Sequence, residues 1–245
     1  MRSIGQLDGQ VAIVTGASRG IGRAVTEAFL DEGASVLGVA RRENLLRDLE
    51  RDLRGRSGHF QAIIGDAREE ATADHAVETA RAEFGRLDIL VNNVGVAIFR
   101  PIWSLAVQDY DDMMSSNMRS TFVFTRAAVP VFLEQQRGTI ITIASMAGVH
   151  GYADLTVYCA SKHAQVGFNR ALDQELRPHN VKVSCILPGG TSTEIAMGEG
   201  RTPELIAEAN FLEPQSVARA VLFAATQDIR SRILEIRLRP MSEEL

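Results

Sequence analysis

Two residues in this chain have both the type and the spacing for proton transfer. They are Tyr158 and Lys162, in the run Tyr158-Cys159-Ala160-Ser161-Lys162. A phenol ordinarily ionises near pH 10, too high to serve as an acid or base at neutrality. A neighbouring ammonium favours the phenolate and draws that value toward operating pH. Four residues is one turn of helix, which puts both side chains on one face. The pair reads as a general acid/base with its activating cation, although a surface i,i+4 pair has the same spacing. Lys162 and Lys182 are the only lysines in the chain. Ser145 lies 13 residues before Tyr158, at the end of an apolar run. Its hydroxyl there suits either a substrate carbonyl or the cap of a turn.

A second group can hold phosphates. Thr15-Gly16-Ala17-Ser18-Arg19-Gly20-Ile21-Gly22 follows the first apolar run and leads into a helical pattern. Gly16 can make the tight turn, Gly20 can admit a ligand to the backbone, and Gly22 can let helix and strand pack closely. The start of the helix then offers N–H groups and a positive dipole end to a pyrophosphate. A turn without a ligand would also use glycines. Its place after the first strand favours a dinucleotide. The next run ends Ala40-Arg41-Arg42, without the acidic residue that binds an unmodified ribose 2′-OH. Arg19, Arg41 and Arg42 are either solvated or gathered on a 2′-phosphate, and the missing carboxylate favours NADP(H).

These residues need a frame, and the apolar pattern supplies one. Strands are expected at Val11–Thr15, Ser35–Val39, Phe60–Ile64, Leu87–Val91, Thr139–Ala144, Val181–Ile186 and Ile233–Leu238. Helices are expected at Arg23–Glu32, Glu43–Leu53, Glu70–Phe84, Tyr110–Gln136, Thr156–Arg177 and Pro214–Thr226. Mostly continuous apolar strands alternating with helices describe an α/β fold: a doubly wound, Rossmann-like, mostly parallel seven-stranded sheet covered on both faces. No linker or repeat divides the pattern, so residues 1–245 are expected to form one domain.

The 245 residues carry a net charge of −5, against a generic nucleic-acid or membrane-surface binder. No run approaches the roughly 20 apolar residues of a membrane span, and no signal peptide is recognised. Cys159 and Cys185 make no metal or redox motif, and the five histidines lack ligand spacing, so no metal is expected. A cytoplasmic enzyme is the expectation.

Together the motifs resemble the short-chain dehydrogenase/reductase family over nearly the whole chain. Thr15–Gly22 is similar to its TGxxxGxG, and Asn92-Asn93-Val94-Gly95 to its NNAG, with Val94 in place of alanine. Asn117, Ser145, Tyr158 and Lys162 match its catalytic tetrad. Pro188-Gly189 with Thr191 and Thr193 matches its PGxxxT segment. The resemblance implies an NADPH-dependent oxidoreductase interconverting a ketone and a secondary alcohol, either as a ketoacyl-thioester reductase or as a dehydrogenase of small carbonyls or hydroxy acids. Tyr158 would protonate the substrate oxygen, Ser145 would orient it, and Lys162 would hold the nicotinamide ribose and lower the tyrosine pKa. Asn117 would hold a relay water through a local helix irregularity. Cofactor contacts would come from Gly16, Ser18, Arg19, Gly20, Ile21, Gly22, Arg41 and Arg42. Further contacts would come from Asp66, Ala67, Asn93, Gly95, Pro188, Gly189, Thr191 and Thr193, with Asp66 at the adenine and Asn93 at its ribose.

The resemblance also implies a homo-oligomer, a dimer or tetramer, built on the helices Tyr110–Gln136 and Thr156–Arg177 through residues such as Phe122, Val123, Phe124, Val129, Val131 and Phe132. A short cover over the substrate is expected at residues 194–213. The ending Ile236–Met241 lacks the glycine-rich close of many ketoacyl reductases and is more similar to members acting on hydroxy acids or small carbonyls. His150, Tyr152 and His163 are expected to pack or be solvated. A regulator binding NADP(H) without turnover is the alternative on the same fold.

Overall fold

The computed structural model describes residues 5–243. Seven strands form one parallel sheet: β1 (Val11–Thr15), β2 (Ser35–Ala40), β3 (His59–Ile64), β4 (Ile89–Asn92), β5 (Gly138–Ile143), β6 (Val181–Pro188) and β7 (Glu235–Leu238). Their order is β3-β2-β1-β4-β5-β6-β7, and every pairing is parallel. The chain moves outward through β2 and β3, then returns to place β4 beside β1. That reversal opens a crevice at the carboxyl ends of β1 and β4, where open α/β sheets bind ligands.

Both faces of the sheet are covered, which is why its inner strands are largely apolar. Ala12, Val14 and Val36 face the layer of α1 (Gly20–Asp31), α2 (Glu43–Asp52) and α8 (Pro214–Ala225). Ile13, Leu37 and Val39 face the opposite layer of α3 (Glu70–Phe84), α5 (Ser120–Gln135) and α6 (Thr156–Leu176). Phe29 anchors the first layer, and Phe124 and Phe132 anchor the second, all three fully buried. Each such side chain contributes about 1.5–3 kcal/mol of burial. Among the described residues, no helix is long and apolar enough to cross a membrane.

The main departure from the sequence pattern concerns the helix expected over Tyr110–Gln136. It begins earlier, as α4 (Val107–Met114), because the Asp109 carboxylate accepts the Ala106 N–H at 2.9 Å. A π-helical turn at Ser115–Arg119 then separates it from α5. A short helix, α7 (Pro203–Glu208), lies within the 194–213 segment, where Pro203 takes the first turn and Thr202 caps it. β7 starts at Glu235, two residues later than expected. The apolar residues expected at a subunit contact are mostly core instead. Val123, Phe124, Val131 and Phe132 are buried within the protomer, while Phe122 is 45% exposed.

Candidate active site

The glycine-rich turn joins β1 to α1. Gly16 and Gly20 adopt φ of +67° and +53°, the left-handed region that favours glycine. At Gly22 a Cβ would stand 2.2 Å from the Gly16 carbonyl oxygen, so only glycine lets α1 approach the turn this closely. Asn93, just past β4, braces the turn. Its Nδ2 donates to the Thr15 carbonyl at 2.9 Å, and its backbone N–H donates to Thr15 Oγ1 at 2.9 Å. No side chain caps α1, and its first turn holds no acidic residue. Its positive end is therefore open to an anion.

A cavity of about 480 Å³ runs from this turn to Tyr158. Ser18, Arg19, Ile21, Arg41 and Arg42 line the cavity beside the turn glycines, and Asp66 and Ala67 line it too. Acidic groups from other segments reach these arginines. Glu194 forms an ion pair with Arg19 and stands 4.0 Å from Arg42, and Asp66 stands 3.9 Å from Arg41. Asp66 is otherwise committed to Arg68, which donates through Nε and Nη2 at 3.0 and 2.7 Å. Neither carboxylate occupies the β2 terminus, the position at which an acid reads a ribose.

Ser145 follows β5 and caps a short 3-10 turn, accepting the Ala147 N–H at 3.1 Å while lining the cavity. Capping a turn and facing the cavity coexist in the fold. Tyr158 and Lys162 sit one turn apart near the start of α6, both almost fully buried and both on the cavity wall. Burial pushes the Tyr158 phenol above its usual range, while the Ser145 hydroxyl and, more weakly, Arg201 pull it back. The expected lowering by Lys162 is not what dominates: low-dielectric surroundings penalise the phenolate more than its neighbours favour it. Burial also draws the Lys162 ammonium down to about 8.

The lysine head is held by residues that the sequence did not single out. Lys162 Nζ donates to the Ile143 carbonyl at 3.1 Å and to Gln165 Oε1 at 2.8 Å. Gln165, fully buried, donates through Nε2 to the Asn117 carbonyl at 2.8 Å and to Thr121 Oγ1 at 2.7 Å. Asn117 lies in the π turn, which is the irregularity expected there. Its side chain is spent on the Val96 backbone and Ser161. Its carbonyl accepts from Gln165 Nε2 and Thr121 Oγ1. Asn117 and Gly22 alone among the expected site residues lie behind the cavity lining.

Asn93, Gly95, Pro188, Gly189, Thr191 and Thr193 line the cavity between its two ends. Tyr152, expected to pack or be solvated, also lines it, with its hydroxyl accepting from Arg239 Nη2 at 3.3 Å. His163 sits on the outer side of α6, its Nδ1 2.9 Å from the Cys159 carbonyl oxygen. The cavity lining further includes Phe99, Phe211 and Arg201. The two aromatics come from distant loops, and nothing local in the sequence marks them.

Comparison with known proteins agrees with this fold. The family model described as short chain dehydrogenase matches residues 10–204. The chain is 34% identical over 235 residues to an uncharacterized oxidoreductase of Staphylococcus aureus (strain USA300), covering 96% of this chain and 99% of that one. It is 31% identical to the 3-oxoacyl-[acyl-carrier-protein] reductase FabG of Salmonella typhimurium, covering 90% and 91%. Among solved structures, a metagenomic short-chain oxidoreductase in complex with NADP aligns with a TM-score of 0.81 at 33% identity, covering 96% and 99%. The closed form of a serine dehydrogenase complexed with NADP+ aligns with a TM-score of 0.89 at 29% identity, covering 96% and 97%.

Proposed function

The chain belongs to the short chain dehydrogenase family, and we propose that it interconverts a ketone and a secondary alcohol with NADP(H) as hydride carrier. The observation that carries this reading is a single cavity with a glycine turn and three arginines at one end and Ser145, Tyr158 and Lys162 at the other. The residues present suit the dinucleotide. The open start of α1 accepts a pyrophosphate, Arg19, Arg41 and Arg42 suit a 2′-phosphate, and Lys162 is placed for a ribose. Two NADP-complexed structures align with the chain, which supports the same choice.

When bound, NADPH supplies the hydride. The protein's part is to orient the carbonyl and to provide a proton. Tyr158, kept protonated at neutral pH by its burial, is an acid suited to the oxygen of a carbonyl being reduced. Ser145 donates to the same oxygen and fixes its direction. Lys162 supplies positive charge behind the phenol, its head located by Ile143 and Gln165. Gln165 joins this head to the π turn at Asn117 and so fixes the lysine through a side chain. Residues 194–213 cover the substrate end, and two or four chains assemble through the outer faces of α5 and α6.

The test is a panel of ketones, keto acids and ketoacyl thioesters incubated with NADPH, followed by loss of nicotinamide absorbance. Turnover of at least one carbonyl is expected. Tight NADPH binding with no turnover across the panel overturns the reading.

A further inference from the structure

Five arginines line the cavity, and four are matched by a carboxylate: Arg19 and Arg42 by Glu194, Arg41 and Arg68 by Asp66. The fifth, Arg201, is at the substrate end with Tyr158. Among the described residues, no carboxylate stands within ion-pair distance of it. Its one side-chain hydrogen bond is from Nη1 to the Thr191 carbonyl at 3.2 Å. A guanidinium has five N–H donors in a flat fork, so most of this one's capacity is unspent. A partly buried cation in that condition is costly unless an anion completes it.

The seat of Arg201 is built. Its guanidinium carbon lies 5.6 Å from the centre of the Phe99 ring and 4.9 Å from that of Phe211, between two aromatic faces. Gly200 lets the backbone press onto Phe99, since a Cβ there would stand 2.3 Å from the Phe99 Cβ. Phe99 N–H donates to the Glu199 carbonyl at 2.8 Å, and the Glu199 carboxylate pairs with Arg100. The backbone beside the arginine is thus tied to the Phe99-Arg100 segment. Glu243 is the acidic group that faces the same space. It acts on Arg201 only at a distance, and its Oε1 accepts the Gly190 N–H at 3.3 Å.

We propose that Arg201 is a carboxylate receptor and that the substrates of this site are small keto acids and hydroxy acids. The reacting carbon of such a substrate lies beside Tyr158 while its carboxylate is held in the guanidinium fork. Planar, bidentate pairing of this kind, in a pocket shielded by Phe99 and Phe211, favours an acid strongly over its neutral ester. The inference rests on the oxidoreductase reading above and narrows its substrate class.

The probes are acetoacetate and methyl acetoacetate, which share one ketone and differ in a charge. Their reduction by NADPH is compared in the unmodified protein, Arg201→Gln and Arg201→Lys, with NADPH affinity measured separately by fluorescence to show that each variant is folded. The unmodified protein is expected to favour the acid at least tenfold in kcat/KM. Arg201→Gln is expected to lower the acid-to-ester ratio at least thirtyfold, and Arg201→Lys to keep part of it. Equal losses on acid and ester, a native preference for the ester, or a variant defective chiefly in NADPH binding would each overturn the proposal. Reduction of neutral ketones but not of acids overturns it while leaving the oxidoreductase reading intact. Failure to reduce any carbonyl overturns both.

Discussion

The Lys162 ammonium lies 5.8 Å from the centre of the Tyr158 ring and donates its hydrogen bonds elsewhere, to Ile143 and Gln165. The ammonium is therefore close to the phenol without bonding to it, and under the proposed function a change in its charge or position is expected to reach the proton donor. Lys162 is cationic below about 8 and neutral above it, because burial has lowered its pKa. In the free protein, kcat/KM for NADPH should fall as pH rises through that value. Gln165→Leu removes an acceptor from the ammonium and should shift the fall to lower pH, with a loss of about tenfold in kcat, the scale of one buried hydrogen bond to a charged group. Gln165→Glu places a carboxylate beside the ammonium and should shift the fall to higher pH. Superimposable pH profiles for the three proteins would remove Gln165 from the machinery.

Cofactor choice tests the arginine cluster. NADPH should bind at least tenfold more tightly than NADH, a difference of about 1.4 kcal/mol, modest for charge-assisted bonds to a phosphate. Arg41→Ala should reduce the preference by weakening NADPH alone. Fluorescence titration with both dinucleotides measures it, and equal affinities in the unmodified protein contradict the assignment.

Glu194 gives the same cluster an opposing effect. Under the proposed function its carboxylate would compete with a 2′-phosphate for Arg19 and Arg42. All three side chains are about half exposed, so the competition is worth only about 0–1 kcal/mol. Glu194→Gln should tighten NADPH by about two- to fivefold and leave NADH unchanged. Weaker NADPH binding in this variant would mean that the glutamate supports the cofactor.

Assembly should depend on the outer face of α5 and α6. Phe122 is exposed on α5, and at Gly167 of α6 an added Cβ would meet nothing within 4 Å, which leaves room for a close helix partner. Light scattering should give two or four times 26.7 kDa, and Phe122→Glu should lower it. A monomer with full activity at micromolar concentration contradicts this.

What the sequence made legible was local. The glycine turn, the Tyr158–Lys162 spacing and the alternation of apolar strands with helices each lie within a short window, and the fold places them as expected. The contacts it hid join distant segments: Glu194 to Arg19, Arg201 to Phe99 and Phe211, Gln165 to Asn117. Gln165 did carry a signal, since it stands three residues after Lys162 on the same helical face. A glutamine in a helix ordinarily reads as solvated, and only its complete burial shows otherwise. The boundaries at Val107 and the π turn were obscured because capping by Asp109 and a widened turn leave the apolar pattern nearly unchanged.

The most direct test of the proton-transfer claim is Tyr158→Phe, which keeps the ring in its buried place and removes only the hydroxyl. The measurement is single-turnover oxidation of bound NADPH with a carbonyl that the unmodified protein reduces, alongside NADPH affinity. The expected result is near-normal affinity with the rate lowered about 10²-fold or more, the usual contribution of a general acid. A rate within a few-fold of the unmodified protein would contradict the account and assign the proton to another group, with Tyr152, the second phenol on the cavity wall, the first to be tested.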